Sequence, residues 1–292
     1  LLDMNFRFSL KVTISCLVLA TGMTSLSIWQ WGRHLQKQEL IQELERILLL
    51  EPIPLRELVN QKPDWANLTF RRVSLSGTFD FKHEILLRNR SLNKRAGSHV
   101  ITPLKLDGPG ELYVLVDRGF LPLGREEAEQ RLIYQHPEHT EIFALIKGSM
   151  PQKLFAPQDP EVAPGKPWVD GWLRIDIPNI KKQLPYELLP VYLETMDNPN
   201  DPLLVSKIVR KGDAGRDDIL NLSGKSNVEN FGMDSPDAAY PIPTYDTTPP
   251  PDIHLGYVYE WAFMALLTIS IGLIMQFKRP GTSKTLQRNA SL

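Results

Sequence analysis

Pro249-Pro250-Pro251-Asp252-Ile253-His254-Leu255-Gly256-Tyr257-Val258-Tyr259-Glu260-Trp261-Ala262-Phe263 leads into Met264 to Phe277 and is closed by Lys278-Arg279-Pro280. No residue from Trp261 to Phe277 carries a charge. Ile253 to Phe277 is about 25 residues, which at 1.5 Å rise extends about 37 Å, enough to cross a hydrocarbon core of about 30 Å. The stretch therefore reads as a transmembrane helix. Its tyrosines and Trp261 fall where an aromatic belt lies, and Lys278 and Arg279 anchor the opposite face. His254 lies at one mouth of the helix.

A second apolar run, Val12 to Gly32, follows Arg7 and Lys11 and ends in Trp29-Gln30-Trp31 before Arg33. A signal peptide would have a shorter apolar region and a small-x-small cleavage site. Bulky tryptophans and a charged helical stretch follow instead, so the run reads as an uncleaved anchor. Met4 reads as the start, with Leu1 to Asp3 resembling readthrough from an upstream frame. Lys278, Arg279, Lys284 and Arg288 make the last residues basic, and Arg7 and Lys11 stand against Asp3 at the other end. The positive-inside rule then puts both termini in the cytoplasm or its equivalent. The expected location is the inner (cytoplasmic) membrane of a bacterium or the mitochondrial inner membrane, with the central domain in the periplasm or intermembrane space.

Global composition conceals these anchors. With 292 residues, a net charge of -1 and a mean hydropathy of -0.22, the chain resembles a soluble protein. No basic footprint is concentrated anywhere, which argues against nucleic acid as a partner and leaves membrane lipids as one. The single cysteine, Cys16, lies in an apolar run and rules out a disulfide framework, a C-x-x-C redox or copper site and a thiolate zinc cluster.

Between the anchors, His34 to Leu50 continues the first helix with apolar residues near period 3.6, until Glu51-Pro52-Ile53-Pro54 ends it. A short helix over Leu55 to Gln61 packs on the outer domain. Strands are expected over Thr69 to Phe79, Glu84 to Arg88, His99 to Leu106, Glu111 to Asp117, Thr140 to Met150, Trp168 to Asp176 and Val191 to Glu194. Asp107-Gly108-Pro109-Gly110 turns a hairpin with Leu112, Val114 and Val116 on one face. Short helices are expected over Glu126 to Tyr134 and Ile180 to Leu184. Tight turns without crossover helices disfavour a parallel Rossmann sheet. The fold class is thus an α+β membrane protein, with two transmembrane helices flanking an antiparallel β-barrel-like domain that carries short helices. The divisions are a stub 1–11, helix 12–32, a helical extension and linker 33–64, the β-rich domain 65–200, a flexible tether 201–252 rich in Pro, Gly and Asp, helix 253–277 and a basic tail 278–292.

Phosphate-loop, dinucleotide, nucleophile-elbow and H-E-x-x-H motifs are all missing from the sequence. His136-Pro137-Glu138-His139 offers metal-type side chains, but its proline disrupts helical presentation and the group reads as a solvated loop. Arg118, in Asp117-Arg118-Gly119-Phe120 at a strand end, either binds an anion or carboxylate or pairs with a local acid. On a helix, His254, Tyr257, Val258 and Trp261 share one face at i, i+3, i+4 and i+7. Neutral imidazole beside an aromatic wall suits axial ligation of haem iron; the other reading is an interfacial histidine bonded to solvent or headgroups. Glu260 lies on another face, near the interface.

Several short pieces follow one another along the chain: Trp29-Gln30 with Arg33 and Lys37, Arg71-Arg72-Val73 before Gly77-Thr78-Phe79, Gly97 leading to Thr102-Pro103-Leu104, and Val114 to Pro122 with Arg118-Gly119. Trp172 with Asp176-Ile177, Asn198-Pro199, and His254-Leu255-Gly256-Tyr257 with Trp261 complete the set. In this order, between two anchors, they resemble the surfeit-locus family of cytochrome c oxidase assembly factors. The resemblance implies a non-enzymatic chaperone role in complex IV biogenesis: helping insert haem a into subunit I, alongside other assembly factors. It also implies that His254 is the haem-iron ligand, and the helical spacing puts Tyr257 and Trp261 beside it as the other candidate cofactor contacts. Where the family usually shows Asn-Asn-His-Leu, this chain has Asp252-Ile253-His254-Leu255. A haem-free membrane-anchored scaffold for oxidase assembly intermediates is the alternative.

Overall fold

The computed structural model describes residues 5–136, 139–150, 152, 156–165, 167–201, 204–208, 240–245 and 252–278. These fall into two compact units, one holding Leu1–Ile41 and Pro249–Leu292, the other Gln42–Thr248. The expected tether lies largely outside the described residues, as do Pro137, Glu138 and the basic tail after Lys278.

The first unit contains strand β1 (Asn5–Phe6), most of helix α1 (Leu10–Leu49), helix α6 (Asp252–Ile274) and strand β10 (Phe277–Lys278). Both helices are long and apolar enough to cross a membrane. They lie antiparallel, as their cross-helix contacts show: Ser27 Oγ donates to Val258 O at 3.0 Å, and a Cβ on Gly272 would come 2.5 Å from Cys16 Sγ. Small residues at such points let helix backbones approach where no hydrophobic drive separates lipid from neighbour. Helix α6 stops at Ile274, three residues before the expected Phe277. There β10 pairs antiparallel with β1, while the buried Gln276 side chain accepts from Ser9 N and donates to Gly272 O. Those bonds satisfy backbone groups that a helix end leaves open.

The second unit is a closed barrel. Its strands are β2 (Ile53–Pro54), β3 (Arg72–Phe79), β4 (Ile85–Leu92), β5 (Arg95–Leu106), β6 (Tyr113–Pro122), β7 (Thr140–Gly148), β8 (Gly171–Trp172) and β9 (Leu188–Met196). Five of them form a ring in the order β3-β7-β9-β6-β5, and β5 pairs back onto β3. All ring junctions are antiparallel except β6–β9, which is parallel; β7, β8 and helix α4 (Ile177–Lys181) come between these two strands in the chain. The outlying pairings β2–β3 and β4–β8 are parallel as well.

Residues two apart on each strand fill the ring: Val73 and Leu75, Leu104 and Leu106, Val114 and Val116, Ala144 and Ile146, and Leu189, Val191 and Leu193. Leu55 and Leu58 of α2 (Leu55–Gln61) join the same cluster, so this helix does pack on the domain. The opposite faces of β5, β6 and β9 make a second cluster together with β4, in which Ile85, Leu87, Ile101, Leu115 and Tyr192 meet Trp172, Ile177 and Ile180. β5 and β6 are therefore buried on both sides, and their near-continuous apolar runs follow from that.

The 168–176 stretch forms only the two-residue strand β8, and Trp172 is held there by burial and by an Nε1 bond to Val169 O. Helix α4 begins three residues before expected because Asp176 accepts from Asn179 N and Pro178 occupies its first turn. Glu126 to Tyr134 becomes α3 (Ala128–Arg131) followed by a 3₁₀ turn. Two described pieces of the expected tether are packed. In α5 (Leu204–Ile208) Leu204 and Ile208 are buried, and Tyr240 joins Leu86, Val100 and Leu121.

Candidate functional site

In the helical unit, Gln30 on α1 meets His254 in the first turn of α6, with Nδ1 2.9 Å from Gln30 Oε1. An amide oxygen only accepts, so this bond places the imidazole proton on Nδ1 and leaves the lone pair on Nε2. Among the described residues Nε2 has no protein partner, and the side chain is half-buried. Val258, one turn on, receives the Ser27 hydroxyl through its carbonyl, so His254 and Val258 share the face turned toward α1. Tyr257 is 46% exposed and Trp261 is partly buried. Trp29, next to Gln30, is 57% exposed, and Trp31 packs its ring against His34 at 5.6 Å. Arg33 lies on the exposed side of α1 and donates to Gln36 Oε1. Glu260 is exposed.

A haem iron asks for a neutral imidazole, an apolar flank and an open approach. The residues fit that demand. One nitrogen of His254 is engaged, the other is presented, and exposed aromatic surface lies on the same helix turns.

The barrel organises its polar groups around a bulge. Val100 pairs with Gly119 but Ile101 with Asp117, so Arg118 is the extra residue on β6. The strand does not end at Asp117 as expected; it bends there and continues to Pro122. The bend turns Arg118 toward Glu84, whose Oε2 receives Nη1 at 3.0 Å and the Thr102 hydroxyl at 2.9 Å. Arg118 also donates to Tyr134 O and stacks over Phe79 and Phe81. Arg131 lies 3.7 Å from the other Glu84 oxygen and bonds Asp170 at 2.8 Å. Burial lowers the Arg118 pKa from its ordinary value and Glu84 opposes that shift. Of the two readings of Arg118, the local acid pair is the one formed.

Gly119, at φ +121, has no room for a Cβ, which would overlap the Ile242 carbonyl. Phe120 and Ile242 exchange both backbone bonds, at 2.7 and 2.9 Å, so residues 240–245 cover the edge of β6 beyond the bulge. Asp117 Oδ2 holds His99 Nδ1 at 2.8 Å, and His99 Nε2 lies 3.1 Å from Thr244 Oγ1. A carboxylate, imidazole and hydroxyl in this order resemble a hydrolytic relay. His99 is buried, however, and the Gly119 N–H of the same bulge is already donated to Asp117 Oδ1. The trio fastens the 240–245 segment, and burial followed by the Asp197 carboxylate pushes the Tyr245 phenol up to about 12.

Gly77 sits where β3 passes from β7 to β5, and a Cβ there would overlap the Lys105 carbonyl. The ring closes at Gly77 because nothing larger fits. Arg71 and Arg72 both donate to Leu50 O just beyond the end of α1, and Arg72 also reaches Pro199 O at 2.5 Å. They satisfy a helix-end carbonyl with positive charge where the dipole favours it. His139 pairs with Asp107 at 2.5 Å, and no metal-holding group of three or more ligands occurs among the described residues.

Glu84, Thr102, His99 and the Gln30 contact are polar features that periodicity did not mark. Thr102 and His99 lie in β5, which reads as an apolar run, Glu84 stands just before β4, and the Gln30 contact depends on helix register.

The model of the SURF1 family matches residues 17–266 of this chain. A SURF1-like protein of Monosiga brevicollis is 30% identical over 162 residues, which is 52% of this chain and 58% of that protein. Surfeit locus protein 1 of Mus musculus is 29% identical over 157 residues, 49% of this chain and 50% of the mouse protein. The cytochrome oxidase assembly protein SHY1 of Saccharomyces cerevisiae is 30% identical over 128 residues, 42% of this chain and 32% of its own. The chain spans about half the length of the first curated relatives it matches.

Proposed function

The chain belongs to the SURF1 family, and from that premise we propose that it is a membrane-anchored assembly factor for cytochrome c oxidase that holds haem a for delivery into subunit I. The oxidase part of this reading draws on the relative named a cytochrome oxidase assembly protein. Its orientation, with both termini inside and the barrel in the periplasm or intermembrane space, draws on the basic residues flanking the two helices.

One observation carries the haem reading: His254 has Nδ1 engaged by Gln30 and no described partner at Nε2. When bound, haem a would supply a Lewis-acidic iron that a neutral imidazole nitrogen can hold. His254 would hold it through Nε2, and Tyr257 and Trp261 would flank it with apolar surface. A single histidine in a half-open place suits release to a partner better than two ligands in a closed one.

Haem-free scaffolding is the second reading, supported by the barrel interior, where apolar side chains from the ring strands and α2 pack into one buried cluster. In that case the barrel surface would bind subunit I or other assembly factors. Full-length protein from cells that make haem a is expected to carry a Soret band that His254→Ala removes. If that variant keeps both the band and oxidase assembly, His254 is not the ligand. If no band is present in either form and subunit I still copurifies, scaffolding is the correct reading.

A further inference from the structure

We propose that Gln30 is the positioning residue for His254: it selects the tautomer that presents Nε2, and as a neutral acceptor it keeps the imidazole a weak enough donor to release what it binds. This inference rests on the haem reading above for its consequence, although not for its geometry.

Gln30 and His254 are 224 residues apart in sequence and belong to different helices, so only the antiparallel register of α1 on α6 brings them to 2.9 Å. The register has supports of its own in the Ser27–Val258 bond, the Gly272–Cys16 contact and the Gln276 bonds at the far end. Replacing Gln30 therefore leaves the helix pair other attachments.

A free imidazole in a neutral site exchanges its proton between Nδ1 and Nε2. An acceptor fixed at Nδ1 removes that freedom and keeps the Nε2 lone pair available. Histidines that ligate metals commonly donate their other N–H to a carboxylate, a carbonyl or water, and that partner sets ligand basicity. A carboxylate would draw the Nδ1 proton and strengthen the iron bond. An amide does so less, which suits a carrier.

Two substitutions separate these roles. Gln30→Leu is close in size and cannot accept, whereas Gln30→Glu accepts and adds charge. The first readout is the ¹⁵N spectrum of histidine-labelled, haem-free full-length protein in lipid nanodiscs, with the His254 signals identified by their loss in His254→Ala. Wild type and Gln30→Glu are expected to show the Nδ1–H form, and Gln30→Leu a mixture of both tautomers. If Gln30→Leu keeps the wild-type spectrum, the proposal is overturned whatever haem does.

The second readout uses haem b as the probe, loaded into the same nanodiscs, with its loss to excess apomyoglobin followed by absorbance. Gln30→Leu is expected to lose haem about 10–100-fold faster than wild type, in line with the effect of removing an outer partner of a metal ligand. Gln30→Glu should lose it more slowly and have a lower midpoint potential. Equal loss rates and potentials across the three proteins would overturn the tuning role. A tautomer change with no haem bound by any of them would support Gln30 as the positioning residue and overturn the haem reading instead.

Discussion

Removing the carboxylate of Glu84 tests whether the barrel depends on the charge cluster at its bulge. Glu84 is 5% exposed and receives Arg118 Nη1 at 3.0 Å and Thr102 Oγ1 at 2.9 Å, with Arg131 Nη1 at 3.7 Å. Glu84→Leu deletes a buried charge-assisted bond worth about 1.5–3 kcal/mol and leaves a guanidinium and a hydroxyl short of an acceptor. Arg118 keeps Tyr134 O and the Phe79 and Phe81 rings, and Arg131 keeps Asp170, so neither cation is wholly abandoned. The expected cost is therefore about 3–5 kcal/mol, the range for breaking one side of a buried pair. For a domain of this size that is a fall in Tm of roughly 6–20 °C, at about 2–4 °C per kcal/mol.

Pairing Glu84→Leu with Arg118→Met should recover much of the loss, because the double variant buries no uncompensated charge. A coupling of about 1–3 kcal/mol is expected from the cycle of four proteins. Urea unfolding of the full chain in detergent, followed by tryptophan fluorescence, reads it, since Trp172 is buried in the cluster that contains β4. A cost below about 1 kcal/mol for Glu84→Leu, or strict additivity in the double variant, would refute the claim that this cluster holds the bulge.

Gly119→Ala should release residues 240–245 while leaving the five-stranded ring closed. It puts a Cβ into the Ile242 carbonyl at a backbone conformation that costs about 1–3 kcal/mol for other residues. Hydrogen exchange should then lose protection at Phe120 and Ile242; unchanged protection would count against the packing described. Asp80 provides a pH test. Burial pushes its pKa up, but bonds from His83 at 2.6 Å and Tyr186 at 2.7 Å outweigh that and leave it below the ordinary value. Its folded pKa is thus depressed, so its contribution is present above the unfolded value of about 3.9 and is lost as pH falls through the folded one. Asp80→Asn is expected to be less stable than wild type at neutral pH, with the gap closing below about pH 4. A gap of constant size would show that the ionised carboxylate is not what His83 and Tyr186 hold.

The polar interior was the part that could not be read in advance. His99, Thr102 and Asp117 occur in runs dominated by Val, Ile and Leu, and their partners Thr244, Glu84 and Gly119 come from other elements or from the turn of a bulge. A bulge adds one residue against one strand and depends on how two strands meet, so the text of either strand does not announce it. For that reason Asp117-Arg118-Gly119 read as a strand end.

Local chemistry sufficed for the two long apolar helices, for α2 behind its prolines, for the Asp107–Gly110 hairpin and for the alternation that puts Val114 and Val116 inside. Those features depend on hydropathy, backbone restriction and a period of two or 3.6, all of which act within a few residues. Ring closure at Gly77, the parallel β6–β9 junction and the meeting of Gln30 with His254 depend on which distant segments touch. Such contacts are settled by packing the whole chain at once, and no window of sequence contains both partners.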